Sequence, residues 1–136
     1  MYPDYLVAPM REELTSAGFE DLRTAEEVDQ AIKAEGTVLV MVNSVCGCAA
    51  ANARPAAKIA AKQEKRPNKF ITVFAGMEKE AVEAARSNMM PYPPSSPAIA
   101  LFKDGKLVHM IERHQIEGRP AQMIADNLIE AFEQHC

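Results

Sequence analysis

No excess of positive charge marks this sequence: 15 lysines and arginines stand against 19 aspartates and glutamates, for a formal net charge of -4. A dominant attraction to nucleic acid or to an anionic membrane needs a basic surface, so no nucleic acid and no membrane is expected as a partner. No run of eighteen apolar residues occurs either, which leaves no candidate for a membrane-spanning helix. The segment Met1 to Met10 holds Asp4 and two prolines where an export leader would carry basic residues and then an apolar stretch. A cytoplasmic location is the resulting expectation. Cysteine is scarce, with only Cys46, Cys48 and Cys136 present. Three thiols make no disulfide framework, and the cytoplasm keeps structural thiols reduced, so they point to redox or metal chemistry. Internal repeats and low-complexity tracts are missing as well.

What remains is ordinary for a folded protein. Hydrophobic residues make up 48% of the 136 positions and charged ones 25%, enough to bury a core without staples. One domain over residues 1–136 is expected. A helix is read from Pro9 to Ala17, with Glu12 and Glu13 in its early turns and Gly18 as its stop. A short strand is read next at Phe19 to Leu22. Thr24 and Glu27 then form a capping box that opens a helix with Ala25, Val28 and Ile32 on one stripe, closed by Gly36.

Thr37 to Val42 is a continuous apolar run without polar alternation, the pattern of a central strand covered on both faces. The alanine-rich segment from Ala49 to Lys65 reads as a helix with a kink at Pro55. Phe70 to Phe74 is a second apolar strand, Met77 to Ser87 a helix, and Pro91 to Pro97 a loop too rigid for either. Ala98 to Phe102 and Leu107 to Ile111 form an antiparallel hairpin around Asp104-Gly105. A last helix begins at Arg119-Pro120 and buries Ile124, Leu128, Ala131 and Phe132. A βαβ half and then a ββα half predict an α/β fold of thioredoxin type. Its mixed central sheet is flanked by helices, with an extra helix at the N-terminus.

Open sheets of this kind work beyond the carboxyl ends of their strands, and Cys46 lies there. A cysteine that leaves a buried strand and enters a helix meets unpaired backbone N–H groups and the positive end of the helix dipole. Both favour thiolate over thiol, by up to about 2 kcal/mol where the site is partly buried. Cys46 is therefore the candidate nucleophile. Cys48, within the first turn, either resolves a mixed disulfide or tunes Cys46. With one intervening residue, closure to disulfide geometry is difficult, and Gly47 relaxes the backbone constraint. A long-lived mixed disulfide on Cys46, cleared by an external thiol, is the consequence. The plainer reading, small residues buried at a tight turn, suits one cysteine better than a Cys-Gly-Cys run at a strand–helix junction.

Ser96-Pro97 stands just before a strand, where a thioredoxin-like fold puts a cis-proline facing the reactive cysteine and leaves nearby backbone groups free for a substrate. Ser96, Pro97 and Gly47 are thus the candidate substrate-binding residues. His109 and His114 are read as surface or hairpin-packing residues, Arg54 as part of a solvated helix face, and Asn43 and Ser44 as turn-setting groups. Cys136 is read as a mobile terminal thiol, and the methionines as adaptable packing.

The run Val42-Asn43-Ser44-Val45-Cys46-Gly47-Cys48-Ala49, continued by Ala53-Arg54-Pro55-Ala56, resembles the bacilliredoxin family. The likeness extends through Pro94-Ser95-Ser96-Pro97 and Arg113-His114-Gln115-Ile116-Glu117-Gly118 to His135-Cys136. It implies removal of bacillithiol from oxidised client proteins: Cys46 takes the thiol from a mixed disulfide, and a second bacillithiol or Cys48 releases it. Bacillithiol is then a co-substrate rather than a bound cofactor, the partners are bacillithiolated proteins and a low-molecular-weight thiol, and weak disulfide isomerase or reductase activity is implied too. The competing class is a soft-metal carrier, with Cys46 and Cys48 as ligands for copper or zinc; two thiolates are too few for a closed zinc site.

Overall fold

A computed structural model describes residues 1–136. The apolar run becomes strand β2, Thr37–Asn43, and each of its residues is buried. Successive side chains of a strand point to opposite faces, so Leu39 and Met41 enter one core while Val38, Val40 and Val42 enter another. Two cores, one on each face, account for the missing polar alternation. Strand β3 (Lys69–Phe74) lies parallel to β2 on one side, and β4 (Ala98–Lys103) antiparallel on the other. The edges are β1 (Glu20–Asp21), parallel to β3, and β5 (Lys106–Ile111), antiparallel to β4. The order β1-β3-β2-β4-β5 is the mixed, thioredoxin-like sheet expected.

Helices α1 (Asp4–Thr15), α3 (Arg54–Ala61) and α5 (Ala121–His135) supply the first core, α5 through Ile124, Ala125, Leu128, Ala131 and Phe132. Helices α2 (Ala25–Lys33) and α4 (Lys79–Ser87) cover the second. The capping box of α2 is formed: Thr24 Oγ1 accepts from the Glu27 N–H at 3.2 Å and Glu27 Oε1 from the Thr24 N–H at 3.2 Å. In the β4–β5 turn, Asp104 and Gly105 both take positive φ, 50° and 81°, as a two-residue hairpin requires.

Several boundaries differ from expectation. Helix α1 starts at Asp4, not Pro9, and Pro9 sits inside it. Burial of Val7, Arg11 and Leu14 on one stripe holds the helix through the proline, and Tyr5, whose carbonyl loses its usual donor, is exposed to water. Helix α4 starts at Lys79 rather than Met77, because Met77 packs with Val7 and Phe74 in a small third cluster. The break at Pro55 takes the form of a π-helical turn, Ala49–Ala53, in which the Arg54 N–H reaches the Ala49 carbonyl and the proline has no N–H to continue the ladder. A 3₁₀ turn at Arg113–Gln115, not anticipated, leads from β5 toward α5.

Phe132 is fully buried against the first core, whereas Met123 on the same helix is 53% exposed. Phe132→Ala is therefore expected to lower the unfolding free energy by about 3–5 kcal/mol in urea titration, and Met123→Ala to change it by no more than about 0.5 kcal/mol.

Candidate active site

Strand β2 delivers the chain into a buried polar turn, Asn43-Ser44, and then to Cys46 at the start of a helix. Gly47 and Cys48 are already helical, and the Ala49 and Ala50 N–H groups donate to the Cys46 carbonyl at 3.1 and 3.2 Å. Ahead of it, the Cys46 N–H donates to Ser44 Oγ at 3.2 Å and the Ser44 N–H to Asn43 Oδ1 at 2.9 Å. Asn43 and Ser44 thus set the turn, as read from the sequence. Neither positive φ nor crowding demands the glycine at 47, since an added Cβ would meet nothing within 4 Å. The space on the Cβ side of Gly47 is open.

The sulfurs of Cys46 and Cys48, both free thiols, lie 2.7 Å apart and share a hydrogen bond. Their acidities separate. Burial works to raise the Cys46 pKa, but hydrogen bonds from the Cys48 thiol, the Ala49 N–H, the Ser44 hydroxyl and the Cys48 N–H outweigh it and leave this thiol below its ordinary value. Cys48 moves the other way: burial, donation to Cys46 and repulsion by the Cys46 charge all raise it, with Arg113 pulling against them. Of the two thiols, Cys46 is the one that gives up its proton more readily.

Antiparallel pairing of Val42 with Ala98 brings the preceding residues, Ser96 and Pro97, alongside the Asn43–Ser44 turn. The Ser96–Pro97 bond is cis. The backbone there is only partly free, in contrast to expectation: the Ser96 carbonyl accepts from the Arg113 guanidinium at 3.2 Å, while its N–H has no partner within the chain. No three His, Cys, Asp or Glu side chains come together to hold a metal ion, so a closed zinc site would need ligands from outside the chain.

The sequence matches the family described as Disulphide isomerase over residues 2–136. It is 54% identical to the Bacilliredoxin of Cytophaga hutchinsonii, covering 98% of this chain and 99% of that one. A Bacilliredoxin of Bacillus cereus is 53% identical over 96% of this chain and 91% of its own length. The chain belongs to the bacilliredoxin family. Among solved structures, an oxidoreductase with a thioredoxin fold superposes with a TM-score of 0.64 at 15% identity, covering 82% of this chain and 94% of that one. The thioredoxin of Malassezia sympodialis does so with 0.61 at 14% identity, covering 87% and 90%. These two establish the fold, and with the family they support a thiol–disulfide redox role.

Two arginines of this bacilliredoxin-family site escaped the sequence reading. Arg54 is not on a solvated face: it is 2% exposed, pairs with Glu13 of α1, and donates to Asn43 Oδ1 at 3.0 Å and the Ser44 carbonyl at 2.8 Å. One buried fork ties α1, α3 and the turn before Cys46 together. Arg113 is bonded to the Ser96 carbonyl, next to cis-Pro97, and its charge reaches both thiols. The only advance signal for either was its place in the segments that carry the family likeness. The histidines do not join the site. His109 Nε2 meets Asn127 Oδ1 at 2.6 Å on α5, and His114 is exposed. Cys136 sits by Thr37, at the beginning of β2, with Lys65 and Lys103 nearby. A seven-residue strand spans about 20 Å, which keeps this third thiol away from the first two.

This geometry sets two expected outcomes. Alkylation of Cys46 by iodoacetamide, tracked site by site by mass spectrometry, should reach half its maximal rate below the ordinary thiol range of about 8.5. Because the Cys48 thiol donates to it, Cys48→Ala should move that midpoint upward. Arg54→Gln should cost about 3 kcal/mol in urea unfolding, since it strands the acceptors of a buried charge, and should also raise the Cys46 midpoint by loosening the turn.

Proposed function

We propose that the protein is a thiol–disulfide oxidoreductase that removes bacillithiol from proteins carrying it as a mixed disulfide. The observation that carries the reading is the unequal thiol pair: an acidic Cys46 at a helix start, 2.7 Å from a less acidic Cys48, with open space on the Cβ side of Gly47. Family membership supports bacillithiol as the small thiol, through the name its relatives bear.

In the first step the Cys46 thiolate attacks the bacillithiol sulfur of the client's disulfide. A new disulfide forms between Cys46 and bacillithiol, the client's sulfur–sulfur bond breaks, and the client cysteine leaves as thiolate and takes a proton from water. In the second step either a second bacillithiol thiolate attacks, giving bacillithiol disulfide and the original Cys46 thiolate, or Cys48 attacks Cys46 and expels reduced bacillithiol. The Cys48 route leaves an oxidised Cys46–Cys48 pair that needs an external thiol reductant to return. With a single residue between Cys46 and Cys48, closure to disulfide geometry is difficult, which favours the external route. The matched family's description also supports a lesser capacity to shuffle disulfides of unfolded substrates.

Intact-mass measurement after mixing with a bacillithiolated client provides the test. Cys46→Ser should abolish release of the client thiol. Cys48→Ser should release it and accumulate protein bearing one bacillithiol. Should Cys46→Ser still accept the adduct at the wild-type rate, the nucleophile is misassigned and the proposal fails.

A further inference from the structure

Arg113 is 44% exposed in its side chain yet is not loose. Its Nη1 donates to the Ser96 carbonyl at 3.2 Å, its Nη2 to Glu117 Oε2 at 3.1 Å, and its backbone N–H to Ser95 Oγ at 3.4 Å. These bonds fix a guanidinium at the mouth of the site, next to the residue that precedes cis-Pro97. The Nε–H and the outer N–H groups of the fork have no partner in the chain. A cation held in place with donors still free suits a carboxylate, which a fork can bind with two parallel hydrogen bonds.

The charge balance around the sulfurs agrees. With Cys46 as thiolate and Glu117 as carboxylate, Arg113 is a cation between two anions, bonded to one and within electrostatic reach of the other. Once Cys46 is consumed in a mixed disulfide its negative charge disappears, and the cluster goes from net negative to neutral, with Arg113 paired to Glu117 alone. The repulsion an anionic thiol would meet is then lifted, and its carboxylate can compete with Glu117 for the donors of the fork.

We propose that Arg113 is the specificity-determining residue of this site, selecting a low-molecular-weight thiol that bears a carboxylate, with Glu117 as a built-in competitor that the thiol's carboxylate displaces. The inference rests on the exchange reading above and adds the group that chooses the thiol. Bacillithiol fits the class through the carboxylates of its malyl moiety. Arg113 forms and breaks no bond in the exchange; it orients the adduct so that its sulfur meets Cys46.

The test compares release of two adducts from one client protein: bacillithiol itself and the same thiol with its malyl carboxylates converted to methyl esters. Taking the ratio of the two rates removes any effect of a variant on Cys46 reactivity, which alters both alike. Arg113→Gln should lower the ratio of acid to ester about tenfold, the scale of a lost charge-assisted hydrogen bond. Arg113→Lys, which keeps the charge without the fork, should fall between, and Glu117→Gln should raise the ratio. Added salt should lower the wild-type ratio and leave that of Arg113→Gln nearly flat. An unchanged ratio in Arg113→Gln overturns the selection by Arg113 while leaving exchange intact. A wild-type protein that releases neither adduct overturns the exchange reading, and the selection with it.

Discussion

Burial of β2 on both faces is the constraint on which the other features depend. A strand whose residues are all buried has no solvent to satisfy its backbone, so it must pair on both edges, and β3 and β4 do so along nearly its whole length. Each face then needs its own layer of helices, which α3 and α5 provide on one side and α2 and α4 on the other. A strand held this firmly delivers the next few residues to a fixed place. Those residues are a buried polar turn and a cysteine at the first free N–H groups of a helix.

That turn would be costly without Arg54. Asn43 and Ser44 are 1% and 7% exposed, and their acceptors need donors that water cannot reach. The guanidinium supplies two of them and is itself balanced by Glu13 on the first helix. In this way α1, which lies outside the strand–helix alternation, joins the support of the active turn. The chemistry at Cys46 rests on backbone N–H groups and a neighbouring thiol rather than on a nearby lysine or histidine, so its acidity depends on how rigidly the turn is held.

Elements with local signals were legible in advance. The apolar run of β2, the Thr24–Glu27 capping box and the Asp104-Gly105 turn each depend on residues within a few positions of one another, and each formed where it was read. Boundaries were lost where distant packing overrode a local rule. Pro9 reads as a helix start, yet the buried stripe of Val7, Arg11 and Leu14 carries the helix back to Asp4; Met77 reads as the start of α4 but is claimed by Val7 and Phe74. The site divided along the same line. Cys46, Gly47, Cys48, Ser96 and Pro97 stood out because their residue types are uncommon in those positions, whereas Arg54 and Arg113 look like any surface arginine.

The sequence by itself determined the kind of chemistry and its address: a Cys-Gly-Cys run at the end of a buried strand and the beginning of a helix, where backbone dipoles favour a thiolate. Only the tertiary structure decided which charges attend it. An arginine carries the same charge and the same helix propensity whether it points into the core or out to solvent. The direction depends on partners far along the chain, Glu13 for Arg54 and Ser96 for Arg113, which come within reach only when the sheet closes. One arginine was thereby drawn inward to hold the turn, and the other was left facing the substrate.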